Sequence, residues 1–534
     1  MRPPSASCLR LTAVPSLILT LLVSVLQADP GTGAQRTALL DYLIEKTAAR
    51  DAFSPAKNVR LKFDGHADML ALRNEFAAAD TDDKLYYAIA KASAARRDRH
   101  LSVDVVPGGL RPWFIGPDGN PVATTSAPVR LMSDFETFDV FVADLANDPS
   151  VQGIAVGDVV TSIDGVPTVE AVERARVYLR HSTEFGFRWH TPQLLISRTP
   201  DLPATVSAEK IRLGFTRVDG TTYQVELPFR PEAELTWAGH FDRRYPGFRL
   251  NFERQTYKVY EHTGGRPVLL LQWYGFREDL VKDMDHLTRI AAERGWLNHD
   301  LIIDATRSRG GSLGAYALQK MSPRSFRTTF GNLRLSDVVP AFIAEREKEF
   351  AARNVSDSGV AETVDDGTWQ IEWLRTDVRR AIASGQRYTN NVPFKSAHLP
   401  PWSDGILDPA PQHFTGRMAV LLGPQGGSHL DQFAAMVKDN ALGVLIGMPA
   451  GGYSNTWEWT ETLTLPGTDK PLASFMWSIG HTLTPHGEIM EGNPSPPDIP
   501  LLLTRENSTR YHGDLIQAAF DWLDGKTPIK IKEP

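Results

Sequence analysis

Residues 418–431 read Met418-Ala419-Val420-Leu421-Leu422-Gly423-Pro424-Gln425-Gly426-Gly427-Ser428-His429-Leu430-Asp431. Five apolar residues without alternation fit a strand buried on both faces, and the glycine-rich run after them fits a loop entering a helix near 429–440. Gly443-Val444-Leu445-Ile446-Gly447 is a second such strand. Upstream, Pro267 to Trp273 and Leu301 to Asp304 repeat the pattern around a helix over 278–294. Strands alternating with helices mark an α/β layer architecture.

The junction at Ser428 supports two readings. A serine at a helix start lies beside unpaired backbone N–H groups, so it can attack a carbonyl while those groups stabilise the oxyanion. Ser428-x-x-Asp431 is equally an N-cap arrangement, with an acid in the first turn. Arg309-Gly310-Gly311-Ser312 follows another predicted parallel strand, and sites in open α/β sheets collect at strand carboxyl ends. Its glycines fit either a tight turn or an approach of backbone N–H groups to Ser428.

The rest of the chain divides by pattern. Residues 36–98 read as amphipathic helices that end in Arg96-Arg97-Asp98-Arg99, with His100 next and a strand over Leu101–Val106. His100 reads locally as a surface histidine closing a basic helix end. From about 110 to 232 short strands alternate with turns. The clearest is Gly157-Asp158-Val159-Val160-Thr161-Ser162-Ile163-Asp164-Gly165, followed by a helix over 169–175. A less regular stretch, 323–415, holds a charged helix near 340–353. Trp457, Trp459 and Trp477 could wall a binding site, although such clusters more often pack in a core.

Composition narrows the functional classes. The chain has 534 residues, 42% hydrophobic and 23% charged, with 24 Phe and 12 Trp, which excludes disorder as its main state. The only cysteine is Cys8, so disulfide scaffolds and cysteine-zinc sites are excluded. Cys8 lies in a stretch with Arg2 and Arg10, an apolar run from Leu17 to Leu26, and Ala28 before Asp29-Pro30. That pattern reads as a secretory signal over residues 1–28, which places the protein in the periplasm or outside the cell. The net charge of −7 argues against nucleic acid as a partner. No later segment is apolar enough to span a bilayer, and no zinc helix or phosphate loop is present.

The order of these features resembles the tail-specific (carboxy-terminal processing) serine protease superfamily, particularly its tricorn-like branch. The residues that carry the resemblance are Gly157–Gly165, Leu301–Asp304 with Gly310-Gly311, Val444–Gly447 with Gly451-Gly452, and Met490–Ile499, which ends in Pro-Asp-Ile. The resemblance implies a ClpP/crotonase-like layered α/β catalytic core over 240–534 with an insertion at about 323–415. It also implies an N-terminal helical segment over 36–105 and a small, mostly-β PDZ-like domain over 110–232. Tyr453 stands where the processing branch has its lysine base, so the tricorn-like arrangement is the one implied. There Ser428 is the nucleophile, His100 the general base and Glu491 the group that orients the histidine. The oxyanion hole is formed by backbone N–H groups of Gly310 or Gly311 and of His429. Neither cofactor nor metal is expected, and the partners are protein or peptide substrates, including their C-terminal tails. His429-Leu430-Asp431 and Arg307-Ser308-Arg309 depart from the family's usual residues. The alternative is therefore a noncatalytic peptide-binding protein, a PDZ-containing pseudoprotease.

Overall fold

The computed structural model describes residues 30–53, 56–204, 209–277, 279–352, 368–393, 404–454 and 457–527; the signal segment over 1–28 lies outside them. The apolar runs form one seven-stranded sheet. Its order is Phe248–Glu253, Tyr257–His262, Val268–Trp273, Asp300–Asp304, Met418–Leu422, Val444–Gly447 and Ile499–Pro500. The first two pairings are antiparallel and the other four parallel.

Both faces of the sheet are covered, which is why its central strands lack alternation. Leu269, Leu271, Leu301, Ile303, Val420 and Leu422 pack under helices Leu280–Glu293, Gly314–Met321 and His429–Asp439. Their neighbours Val268, Leu270, Ile302, Ala419 and Leu421 pack on helix Tyr511–Leu523. Each fully buried aliphatic side chain contributes roughly 1.5–3 kcal/mol. The two cores therefore place the strand ends, and with them the loops at 305–312, 423–428 and 448–454.

A third core joins distant segments. Helices Gly33–Arg50 and Asp82–Ala94 pack with Val339–Ala352 from the 323–415 stretch and with the hairpin Glu458–Thr464/Pro471–Ser478. Val103–Val105 pairs antiparallel with that hairpin's second strand. Trp457 and Trp477 are buried in this core, with Trp459 packed against it. Arg50 lies 4.6 Å over the Trp477 ring. The tryptophans are packing residues and form no binding wall.

Residues 129–228 build a separate antiparallel sheet in the order Val129–Ser133, Val140–Leu145, Val159–Ile163, Lys210–Thr216, Thr222–Pro228. The Asp164-Gly165 turn has φ of 49° and 82°, the left-handed pair that a two-residue hairpin needs. Helix Thr168–Arg176 follows as expected. Helix Glu184–Leu195 falls where the sequence pattern suggested only strands and turns; Thr183 caps it by accepting the Gly186 N–H at 3.1 Å. No helix among the described residues is long and apolar enough to cross a membrane.

Candidate active site

Strand Met418–Leu422 lies beside Asp300–Asp304, with Leu421 opposite Asp304. That register sets the loops leaving their carboxyl ends side by side. Ser428, at the start of helix His429–Asp439, has φ 61° and ψ −120°. A non-glycine residue in that region costs on the order of 1–3 kcal/mol and persists only where its surroundings enforce it. Here the Ser428 N–H is held by the Tyr453 carbonyl at 2.5 Å, while its own carbonyl accepts the Asp431 N–H at 3.0 Å. The Ser428 side chain makes no cap hydrogen bond, so the N-cap reading is set aside. The hydroxyl is left on a strained strand-to-helix turn, partly exposed.

Gly310 lies directly against it. A Cβ at position 310 would stand 2.6 Å from Ser428 Cβ and 2.9 Å from its Oγ, so only glycine fits. Gly311, at φ 149°, extends a short parallel bridge with Phe276. The Ser312 N–H donates to the Phe276 carbonyl at 2.8 Å, and the Phe276 N–H to the Gly310 carbonyl at 3.2 Å. Among the described residues the N–H groups of Gly310 and Gly311 donate to no acceptor. The His429 ring points elsewhere. Its Nε2 accepts the Gly314 N–H at 2.7 Å, and it packs edge-on against Phe276. The side chain thus fastens the start of helix Gly314–Met321, a structural reason for a histidine in that position. Asp431 is a second fastener: buried, it accepts the Gly452 N–H at 3.2 Å. Burial pushes its carboxyl well above the ordinary range.

His100 lies six residues beyond the end of helix Asp82–Ala94, so it closes no helix terminus. It belongs to a cluster with Asp98 and Glu491 in which one nitrogen or oxygen atom of each side chain lies within 4.8 Å of the others. Asp98 Oδ1 accepts the His100 backbone N–H at 2.9 Å and stands 4.0 Å from its Nδ1. Burial lowers the imidazole pKa below its ordinary value, opposed by the charge of Asp98. Glu491 is fully buried, bonded by the Ser454 N–H at 2.9 Å and paired with Lys57 Nζ at 3.2 Å. Burial and the Asp98 charge push its carboxyl up to about 7, against the pull of Lys57.

Two groups of predicted residues therefore form, Ser428 with Gly310, and His100 with Glu491. Tyr453 joins them. Its ring lies against Gly427 and meets the His100 ring edge-on at 5.1 Å, and its carbonyl holds the Ser428 amide. Burial raises its phenol pKa, so it is neutral across the physiological range. Ser428 Oγ makes no hydrogen bond to His100. Asp98 and Lys57 were not singled out from the sequence. For Asp98 the signal was available: an Asp two residues before a His is the spacing of a side chain that turns back to the backbone N–H. Asp304 and Asp498, a conceivable carboxylate pair, serve separately. Asp304 accepts from Tyr245 at 2.6 Å, and Asp498 from the Leu445 N–H at 2.9 Å.

A scan against protein-family models finds no match, and a search of curated proteins finds none. Solved structures do match. Mature CPAF superposes with a TM-score of 0.69 at 15% identity, covering 93% of this chain and 99% of that one. Mature CPAF complexed with lactacystin gives 0.68 at 14% identity over 92% and 99%, and a CPAF mutant gives 0.67 at 15% over 93% and 99%. Across nearly its whole length, the chain has the fold of mature CPAF.

Proposed function

We propose that the protein is a serine-type endopeptidase of the tail-specific, tricorn-like kind, with Ser428 as nucleophile and His100 as general base. The observation that carries this reading is the strained, uncapped Ser428 packed against Gly310, with the Asp98–His100–Glu491 cluster one side chain away across Tyr453. The family resemblance in motif order and the shared fold support it.

In this mechanism Ser428 Oγ bonds to the peptide carbonyl carbon as its proton passes to His100. The N–H groups of Gly310 or Gly311 and of His429 hold the oxyanion. The C–N bond then breaks as His100 returns the proton to the leaving amine, and water hydrolyses the acyl-enzyme by the reverse sequence. Asp98 stabilises the imidazolium. Ser428 and His100 are not hydrogen-bonded in this structure, and catalytic contacts commonly tighten when substrate seats. The 110–232 unit is PDZ-like in this reading and meets the site through Thr183, whose hydroxyl donates to the Gly451 carbonyl at 3.0 Å.

The test is hydrolysis of a fluorogenic peptide series by the full chain, abolished by a serine-directed phosphonate; absence of both hydrolysis and labelling favours the noncatalytic alternative. The pH dependence is specific. Burial lowers the His100 pKa, so the neutral base persists to lower pH than in an ordinary imidazole and is lost as pH falls through that lowered pKa. The acid limb of kcat/KM should therefore lie below the ordinary histidine range. Any inflection near 7 belongs to Glu491 and should vanish in Glu491→Gln while the lower limb stays. We further propose export through the segment over 1–28, which predicts a mature N-terminus at about Asp29. N-terminal sequencing of the secreted protein checks it, and an intact Met1 on exported material would contradict it.

A further inference from the structure

A cavity of about 510 Å³ lies between the smaller sheet unit and the core. Three of the segments that build the candidate site contribute to its wall: Arg99 beside His100, Arg307 three residues before Gly310, and Gln425 three residues before Ser428. The opposite wall is Arg130 to Met132 of the smaller sheet's edge strand, together with helix Glu184–Leu195. A fourth guanidinium, Arg180, completes a lining that is mostly polar and strongly cationic.

Among the described residues Arg99, Arg180 and Arg307 form no direct ion pair with a carboxylate, although Asp304 and Asp242 act on Arg307 and Asp201 on Arg99 through space. Arg130 alone does, with Asp144 at 3.3 Å. Arg307 donates to the Phe241 carbonyl at 2.6 Å, and the Arg99 guanidinium lies over the Tyr453 ring, 5.7 Å from its centroid. The two acids of the lining, Asp201 and Glu232, are exposed, whereas the guanidiniums are half-buried. His190 Nε2 is buried in the same wall without a hydrogen-bond partner. Half-buried guanidiniums lose hydration, and a planar fork recovers it best from a carboxylate.

We infer that this cavity is a substrate subsite for acidic side chains, so that the enzyme selects peptides carrying Glu or Asp a few residues from the bond it cuts. The inference rests on the peptidase reading only for the location of that bond. Free carboxyl termini carry the same chemistry, and the experiment separates the two sources.

Fluorescein-labelled decapeptides with a Glu-Glu pair walked along a neutral sequence, their Gln-Gln counterparts, and C-terminally amidated versions of both are titrated onto full-length Ser428→Ala by anisotropy. At one register the Glu peptide should bind about tenfold to a hundredfold more tightly than its Gln counterpart, the ratio one charge-assisted hydrogen bond provides. Amidation should leave that ratio intact. The preference should collapse in Ser428→Ala carrying Arg180→Gln and Arg307→Gln, and an added Arg180→Lys in place of Arg180→Gln should restore part of it. Circular dichroism melts confirm that these variants fold. Equal binding of Glu and Gln peptides at every register overturns the inference. So does a preference that disappears on amidation, which assigns the cavity to chain termini. Hydrolysis of the same peptides by the unsubstituted enzyme is read separately. Failure to cleave with the Glu preference intact counts against the peptidase reading and leaves the subsite standing.

Discussion

Ser428→Ala is expected to lower peptide hydrolysis by at least about 10⁴-fold, the scale on which loss of a serine nucleophile acts. Thermal stability should hold. A serine that capped its helix would cost about 1 kcal/mol on replacement by alanine, but the Ser428 side chain makes no such bond. The strained φ of 61° persists in the alanine variant, so no relief is expected either. Activity lost with the melting temperature kept is thus the signature of a chemical role. A loss of stability with hydrolysis retained would return Ser428 to the capping role.

His100→Ala is expected to produce a loss of similar size. Nucleophile and base act as a unit, so the double variant should be no slower than Ser428→Ala alone. Multiplication of the two effects would mean that His100 acts elsewhere than on Ser428. Asp98→Asn gives a graded companion: it removes the carboxylate 4.0 Å from Nδ1 yet keeps an acceptor for the His100 N–H. Its loss should fall in kcat, with KM little changed. Alanine at 491 is a poor probe by comparison. It would leave Lys57 buried without its partner, at a cost of roughly 3–5 kcal/mol. Gln also removes the charge but keeps an acceptor for the Lys57 ammonium and the Ser454 N–H.

The parts of the fold legible in the sequence are those decided locally. The strands around 268–273, 301–304, 418–422 and 444–447 are buried on both faces and read as unbroken apolar runs. The Asp164-Gly165 turn announced its hairpin because few residues adopt two consecutive left-handed conformations. Helix Glu184–Leu195 was missed because Gly186 and Pro192 lie inside it and its apolar face is weakly defined; Thr183 and Glu184 were the start signal. The union of residues 33–94 with the 339–352 helix and the 458–478 hairpin rests on packing between segments hundreds of residues apart, which no local pattern encodes.

The site divides the same way. Ser428 and the Gly310 loop were legible because strand-end loops of a parallel sheet converge. The two departures at His429 and Asp431 gain their meaning only in space, as acceptors for the Gly314 and Gly452 amides. Lys57 gave no sign in the sequence. It sits in a short helix, and only the fold brings it to Glu491, more than four hundred residues away.

In the proposed mechanism Ser428 forms a covalent bond to its substrate's acyl carbon. Intact-mass spectrometry of the full chain after treatment with a peptidyl phosphonate tests it most directly. One adduct per chain, mapped to the peptide containing Ser428 and absent from Ser428→Ala, is the expected result. Equal labelling of both proteins, or an adduct mapped to another residue, would contradict it.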